Sequence, residues 1–446
     1  MLYSQFSSQL DSYPVSKPHL VVALSGGIDS MVLLRLASIY AKERQLECIA
    51  VHVNHGLSQH AFEWEEVCQT HCDSLSIELY IERVQLTVTA QDSLEEVARK
   101  ARYQVLERHL QSNSLLLTGQ HQDDQVETFF LALKRGSGPA GLSSMPSIIP
   151  LFKGYKCRPL LNQPRSDIER YAQKNRLEWV EDESNKDTRF DRNFLRHEIV
   201  PNLVTRWPSF ASAVSRSAKL CAEQESLLTE LLQPKLIEFQ NAYQGISISQ
   251  LENESELSRN MLLRLWLKQF LIPLPSQAQL KVLWTEVAKA KEDANPSLVL
   301  GLIQLRRFQE YLYCLPQYDD LSSWKGELQQ SLELPDDLGL LMLNHKSKET
   351  VHDDGSELQF FLRAPLENEQ VDVRFNIQGL SPHPETREHS RKMKKLYQEY
   401  GIPSWQRSRL PLIFYNEELA AVAGLFVCKA FSGQECELIW KKLGLK

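Results

Sequence analysis

The sequence predicts an α/β protein in which an N-terminal parallel sheet with helices on both faces precedes a mainly helical domain and a small α+β C-terminal domain. Three observations carry this. Short apolar runs alternate with helix-period segments across residues 1–210, the pattern turns helical from about residue 211, and residues 371–446 read as short strands around one basic helix. The expected domains are therefore 1–210, 211–327 and 371–446, with 328–370, acidic and without strong periodicity, as a connector.

The elements follow in order. Leu20 to Leu24 is a short apolar run bounded by glycine, which suits a buried strand of a parallel sheet. The stretch Ser25-Gly26-Gly27-Ile28-Asp29-Ser30 comes next, and an apolar helix begins on its far side. Two glycines allow close backbone approach, and a serine there is suited to cap the first turn, so free N–H groups converge into an anion cradle. Residues 46–57 read as a second strand running into a loop, 61–75 as a helix and 77–84 as a third strand. Residues 93–111 have helical periodicity with Ser93 at the cap position, 114–119 is another strand, and 119–135 a helix. Ligands of such a sheet bind at the carboxyl ends of its strands, where the polar motifs fall.

Composition narrows the classes. With 446 residues, 42% hydrophobic and 24% charged, the chain has the make-up of a globular protein of two or three domains. Its longest apolar runs fall short of the roughly 20 residues that cross a bilayer, and its polar start lacks a basic, then hydrophobic, leader. A cytoplasmic location without membrane attachment is expected. Eight scattered cysteines fit reduced thiols, and the trio Cys68, His71 and Cys72 has no second ligand pair to complete a zinc site. The net charge of −7 averages over local patches.

Four clusters carry chemistry. The glycine loop lacks the lysine of a γ-phosphate-binding loop, so another use of phosphate is implied. A carboxylate at Asp29 beside an anion cradle would repel phosphate without a divalent cation between them, which suggests Mg2+; the plainer alternative is a capping aspartate. In the second cluster, "HQDDQVET", helical spacing puts Asp124, Glu127, Thr128 and Leu131 on one face, beside Asp123, and assigns Val126, Phe129, Phe130 and Leu133 to the buried side. A solvated, dipole-favoured helix start would look similar. The last two clusters are cationic: Arg99 and Arg102 near one helix face, and Arg189, Arg192 and Arg196 with Asn193 further on, forks suited to phosphate. His52 and Asn54, in the loop after the second strand, are placed to meet a base or ribose. Near the C-terminus, residues 374–409 hold eight basic residues against three acidic ones, a balance of +5. There Arg391, Lys394 and Lys395 at i, i+3 and i+4 predict a cationic helix stripe, with Leu396 and Tyr397 turned inward.

The run "SGGIDS" resembles the signature of pyrophosphatase-loop ATP enzymes, which cleave ATP between the α and β phosphates. Together with "HVNHGL", "HQDDQVETFFLALKRGSGPAGLSSM", "RPLL" at Arg158, "DESNKDTRFDRNFLRHEIVP" and the terminal "RKMKKLYQEYGIPSWQRSRLPLIFY" and "AAVAGLFV", it is similar to the tRNA(Ile)-lysidine synthetase family over nearly the whole chain. Residues 377–390 depart from that pattern, being less glycine-rich and less basic than the family's entry to its terminal helix. The resemblance implies an adenine nucleotide alpha hydrolase-like fold and ligation of free L-lysine to C2 of the wobble cytidine in an isoleucine tRNA with a CAU anticodon. ATP and Mg2+ would serve an adenylated intermediate. It implies ATP binding by Ser25, Gly26, Gly27, Ile28, Asp29, Ser30, His52 and Asn54, and catalysis by Asp29, Asp123, Asp124, Glu127 and Arg192. Metal binding falls to Asp29 and Asp124, and substrate or RNA binding to Arg99, Arg102, Arg196, Arg391, Lys394 and Lys395. The oligomeric state stays open, a homodimer included. A tRNA-thiolating relative would need a sulfur-carrying cysteine, whereas Cys48 and Cys157 sit in strand-like runs and no C-x-x-C occurs; a GMP- or NAD-synthetase type should lack the basic C-terminal module.

Overall fold

The computed structural model describes residues 2–56, 58, 60–86, 94–270, 274–291, 294–345 and 358–442. The cap position Ser93 and residues 346–357 of the expected connector lie outside them. The chain divides into two compact units, Met1–Leu231 and Leu232–Lys446.

The first unit opens with α1 (Leu2–Asp11), β1 (His19–Ala23), α2 (Ile28–Arg44), β2 (Cys48–Asn54), α3 (Ala61–Leu75), β3 (Glu78–Arg83), α4 (Leu94–Arg108), β4 (Ser114–Leu117) and α5 (Gln122–Lys134). After these come α6 (Pro139–Leu142), β5 (Ile148–Leu151), β6 (Gly154–Cys157), α7 (Arg165–Lys174), α8 (Asp191–Phe194), α9 (Val200–Arg206) and α10 (Phe210–Phe239), which runs on past the unit's end. The sheet order is β3-β2-β1-β4-β6-β5, parallel except for the β5–β6 hairpin. The order reverses at β1, whose neighbours are β2 and β4, and a crevice at the carboxyl edge is expected at such a switch point.

Alternation along β1 sorts the two faces. Leu20, Val22 and Leu24 pack with α1, α2, α3 and α7 through Phe6, Met31, Leu33, Cys68, Cys72 and Ile168. Val21, with Val51 and Leu116 from its neighbours, packs on the other face against Leu106 and Leu110 at the end of α4. Because both faces are covered, these strands read as continuous apolar runs.

The second unit holds β7 (Ile246–Ser247), α11 (Ile248–Glu252), α12 (Glu256–Lys268), α13 (Gln277–Val282), β8 (Ser297–Leu300), β9 (Ile303–Phe308) and β10 (Tyr311–Pro316). Buried Leu262, Leu263 and Trp266 of α12 centre this core over the antiparallel sheet β7-β10-β9-β8. Beyond it lie β11 (Lys325–Glu327), β12 (Ser331–Leu334), β13 (Gly339–His345), β14 (Leu358–Leu362), β15 (Val371–Arg374), α14 (Met393–Glu399), α15 (Ser404–Arg407), β16 (Leu412–Tyr415), β17 (Glu418–Val422), β18 (Phe426–Val427) and β19 (Cys436–Lys441). They form two antiparallel sheets, β11-β15-β16-β17-β18 and β12-β13-β19-β14, around one shared core.

The stretch 328–370, expected to be a connector, thus contains β12, β13 and β14, the last two paired with β19. Their partner lies about ninety residues onward in sequence, so little local periodicity marks them. Leu341 and Leu343 are nonetheless buried, and acidic Asp336 and Asp337 occupy the β12–β13 turn.

Candidate active site

The glycine loop joins β1 to α2 at the crevice. Gly26 has φ +85°, and a Cβ there would come within 2.8 Å of the Val180 side chain, so the position requires glycine on both counts. Gly27 is the N-cap of α2, and no side chain caps it. The expected serine cap is corrected here: the Ser30 hydroxyl donates back to the Gly27 carbonyl at 2.8 Å and meets Ser25 Oγ at 3.1 Å, closing the loop on itself. The first N–H groups of α2 are therefore not taken by a capping side chain, which preserves the cradle.

Asp29 lies in the first turn of α2, and Gly119, which follows β4, packs so closely that a Cβ would sit 3.2 Å from the Asp29 backbone. Asp29 Oδ2 accepts from Arg165 Nη1 at 2.5 Å, Oδ1 lies 3.7 Å from His121 Nε2, and that same Oδ1 is buried without a hydrogen bond. Burial pushes the Asp29 carboxyl up from its ordinary value, against the pull of His121 and Arg165.

The helix predicted over 119–135 forms over Gln122–Lys134, with His121 as N-cap and its backbone N–H donating to Asp124 Oδ2 at 3.0 Å. Helix α5 thereby presents its first turn to the glycine loop. The buried His121 imidazole lies among three carboxylates, 3.4 Å from Asp124, 3.7 Å from Asp29 and 3.9 Å from Asp123. Asp123 is the most exposed of them and accepts from the Arg165 backbone N–H at 3.2 Å.

The faces of α5 differ from the expected pattern. Val126 is buried, and Phe129 and Phe130 pack partly buried against Val200, Val214 and Phe210, but Leu133 is exposed and Glu127 is buried. The reason lies in the segment 191–199. Arg192 Nε donates to Glu127 at 2.7 Å, Arg196 Nε donates to it at 2.6 Å, and Arg196 Nη2 also reaches Asp124 at 3.0 Å. These forks make burial of a carboxylate tolerable. Burial works against the Arg196 charge, yet Glu127 and Asp124 more than offset it and raise its affinity for the proton. Arg189 instead pairs locally with Asp187 on the exposed surface.

His52 and Asn54 are buried and engaged within the protein. His52 Nδ1 meets the Leu24 carbonyl at 2.9 Å, and Asn54 spans Glu65 and the Gly56 N–H. Arg99 and Arg102 sit on the exposed face of α4, Arg99 over the Tyr103 ring and Arg102 donating to His55 at 3.3 Å. In the second unit Arg391 precedes α14 rather than lying on it, and it pairs with Glu399 at 2.8 Å, as Arg387 also does. Only Lys394 and Lys395 of the expected stripe lie on the helix, both exposed, above buried Leu396 and Tyr397.

His121 and Arg165 went unassigned in the sequence reading. His121 stands inside "HQDDQVET", and its adjacency to the acidic pair is the signal that could have found it. Arg165 begins a helix 136 residues from Asp29, and only the packing of α7 on α2 joins them.

Among the described residues, no group of three or more His, Cys, Asp or Glu side chains forms a metal cage. An orphaned Asp29 oxygen with Asp124 close enough to act on its charge is a donor set that fits Mg2+ of the kind completed by water and nucleotide phosphate.

Family models match along the chain: the PP-loop domain over residues 2–203, the TilS substrate binding domain over 246–313 and the TilS substrate C-terminal domain over 371–442. Curated relatives named tRNA(Ile)-lysidine synthase include one from Vibrio vulnificus, 51% identical over 99% of both chains, and one from Photobacterium profundum, 47% identical over 99% of both. Among solved structures, the U34-tRNA thiolase NcsA from Methanococcus maripaludis matches at 18% identity and a TM-score of 0.43, over 50% of this chain and 78% of that one. With near-half identity along its full length, the chain belongs to the tRNA(Ile)-lysidine synthase family of PP-loop ligases.

Proposed function

We propose that the protein ligates free L-lysine to C2 of the wobble cytidine in the isoleucine tRNA with a CAU anticodon, changing its codon from AUG to AUA. The observation that carries this reading is the meeting, at one carboxyl edge, of a phosphate cradle with an acidic group already organised by arginines. Near-half identity to tRNA(Ile)-lysidine synthases along the whole chain supports it.

The C2 carbonyl oxygen attacks the α-phosphorus of ATP, and pyrophosphate leaves into the loop Ser25–Ser30. The lysine ε-amine then attacks C2, and AMP departs with the oxygen. Asp29 and Asp124 would hold Mg2+, which neutralises phosphate charge when bound. The ε-ammonium must lose a proton before attack, and the three carboxylates of α5 differ in their freedom to receive it. Glu127 is taken by two guanidinium groups and Asp124 by one, whereas Asp123 has, among the described residues, only the Arg165 N–H at hydrogen-bond distance. Asp123 is accordingly assigned the base role, with Glu127, Arg192 and Arg196 holding the helix start in place.

Mass analysis of the anticodon fragment after incubation with ATP, Mg2+ and lysine tests the reading. A gain of one lysine less one water at C34, dependent on all three, is expected. An unmodified tRNA alongside native folding would overturn it.

A further inference from the structure

We propose that Arg165 competes with the divalent ion for the Asp29 carboxylate, so that the protein alone holds the ion weakly and holds it firmly only when nucleotide phosphate receives the displaced guanidinium. This rests on the reading that Asp29 engages Mg2+.

Arg165 is the first residue of α7, which packs with α2 through the fully buried Ile168 and Ala172. The start of that helix is therefore held, and the Arg165 backbone N–H donates to Asp123 Oδ1 at 3.2 Å. Asp29 is held too, because Gly119 packs so closely that a Cβ there would sit 3.2 Å from the Asp29 backbone. The Arg165 side chain is the partner that can move. It is 32% exposed, and it reaches two carboxylates: Nη1 donates to Asp29 Oδ2 at 2.5 Å, and Nε donates to Glu169 Oε1 at 3.0 Å, one turn along α7. One guanidinium thus bridges an acid of the site and a half-exposed acid of the surface.

Burial opposes the Asp29 charge, and His121 and Arg165 support it. A buried carboxylate keeps its charge only beside a cation. Arg165 supplies that cation at Oδ2, while Oδ1 is buried with no hydrogen bond, 3.7 Å from His121 Nε2. A divalent ion entering at Asp29 meets the guanidinium at close range, and two cations on one carboxylate repel. The ion must therefore break the Asp29–Arg165 pair. Exchange keeps Asp29 balanced, since one cation replaces another, and the guanidinium stays beside the loop Ser25–Ser30 with Glu169 as its remaining partner. Phosphate oxygens held in that loop suit its planar fork. Ion and nucleotide are thereby coupled through one side chain.

The test follows binding of Mn2+, a paramagnetic substitute for Mg2+, to the full chain by electron paramagnetic resonance, alone and with a non-hydrolysable ATP analogue. Arg165→Gln should tighten binding of Mn2+ alone roughly tenfold, and the further tightening brought by the analogue should shrink. Glu169→Gln changes a surface position and leaves Arg165 to Asp29, so it should weaken binding of Mn2+ alone about two- to threefold. Asp29→Asn should abolish the site in either background. Unchanged Mn2+ affinity in a folded Arg165→Gln chain, or in Glu169→Gln should the first variant fail to fold, overturns the proposal. Weaker binding by Arg165→Gln overturns it as well, and would make Arg165 the residue that orients Asp29. Equal Mn2+ binding by the parent and by Asp29→Asn would instead refute the metal reading of Asp29 on which the proposal stands.

Discussion

Two charged clusters at the carboxyl edge of one sheet are built on opposite principles. Around Asp29, Asp124 and Glu127 every carboxylate has a guanidinium within 3.0 Å, so the group is balanced within the protein. Around Lys156, whose ammonium burial disfavours, three arginines and the lysine meet a phenol, one carbonyl and an imidazole but no acid among the described residues. The difference teaches where each free energy resides. A balanced cluster is preorganised and holds its shape, whereas an unbalanced one carries an electrostatic penalty, which shows in the lowered Lys156 ammonium.

Breaking the balanced cluster should have the largest effect. Asp29→Asn keeps the loop's shape and removes the charge proposed to engage Mg2+, so tRNA-dependent pyrophosphate release should fall on the order of a hundredfold or more in a folded protein. Near-normal release would remove Asp29 from the chemistry.

Glu127→Gln leaves Arg192 and Arg196 facing an amide. A loss of about 1–3 kcal/mol in denaturant-measured stability is expected, the guanidinium groups' partial exposure limiting it. If Glu127 acts by holding the helix start, adenylated tRNA should still form and its transfer to lysine should slow. Equal loss in both half-reactions, with stability intact, would make it a direct participant instead.

The unbalanced cluster predicts a pH effect of definite sign. The Lys156 proton is held down to about 7 when folded, against the ordinary 10.5. Between these values the unfolded chain binds a proton that the folded chain does not, so this group makes stability rise with pH across that window. Below pH 7 both forms are protonated and the contribution is flat. Lys156→Met should remove that rise, as read from unfolding midpoints at pH 6.5 to 9. A parallel pH profile for parent and variant would mean that Lys156 is charged in the fold.

The smallest effect is expected in the second unit. Because Arg391 is already paired with Glu399, the double variant Lys394→Ala, Lys395→Ala should flatten the salt dependence of tRNA binding by about two, and adding Arg391→Ala should change little more. A full third unit from Arg391 would show that its ion pair opens on binding.

Much of this was legible in the residues. The strand at Leu20–Leu24, the glycine turn and the helix after it are local features, set by side-chain period and by φ, and they appear where the spacing predicts them. So does the helix carrying Asp123, Asp124 and Glu127. What one helix could not reveal is which of its faces another segment would cover. Helical period alone assigned Leu133 inward and left Glu127 on the polar face, because two arginines more than sixty residues onward outweigh apolar preference there. Two of the three strands within 328–370, β13 and β14, escaped for a similar reason, since both pair with β19 far onward in the chain.

The sequence by itself thus determined the α/β order, the glycine turn before α2 and the inventory of charged groups, all of which follow from short-range backbone and periodicity rules. Only the tertiary structure decided which charges neutralise one another. It gave Asp29 to Arg165 and Glu127 to Arg192 and Arg196, and left Lys156 with no acid among the described residues, because Coulomb energy and desolvation depend on distances in space that chain spacing does not encode.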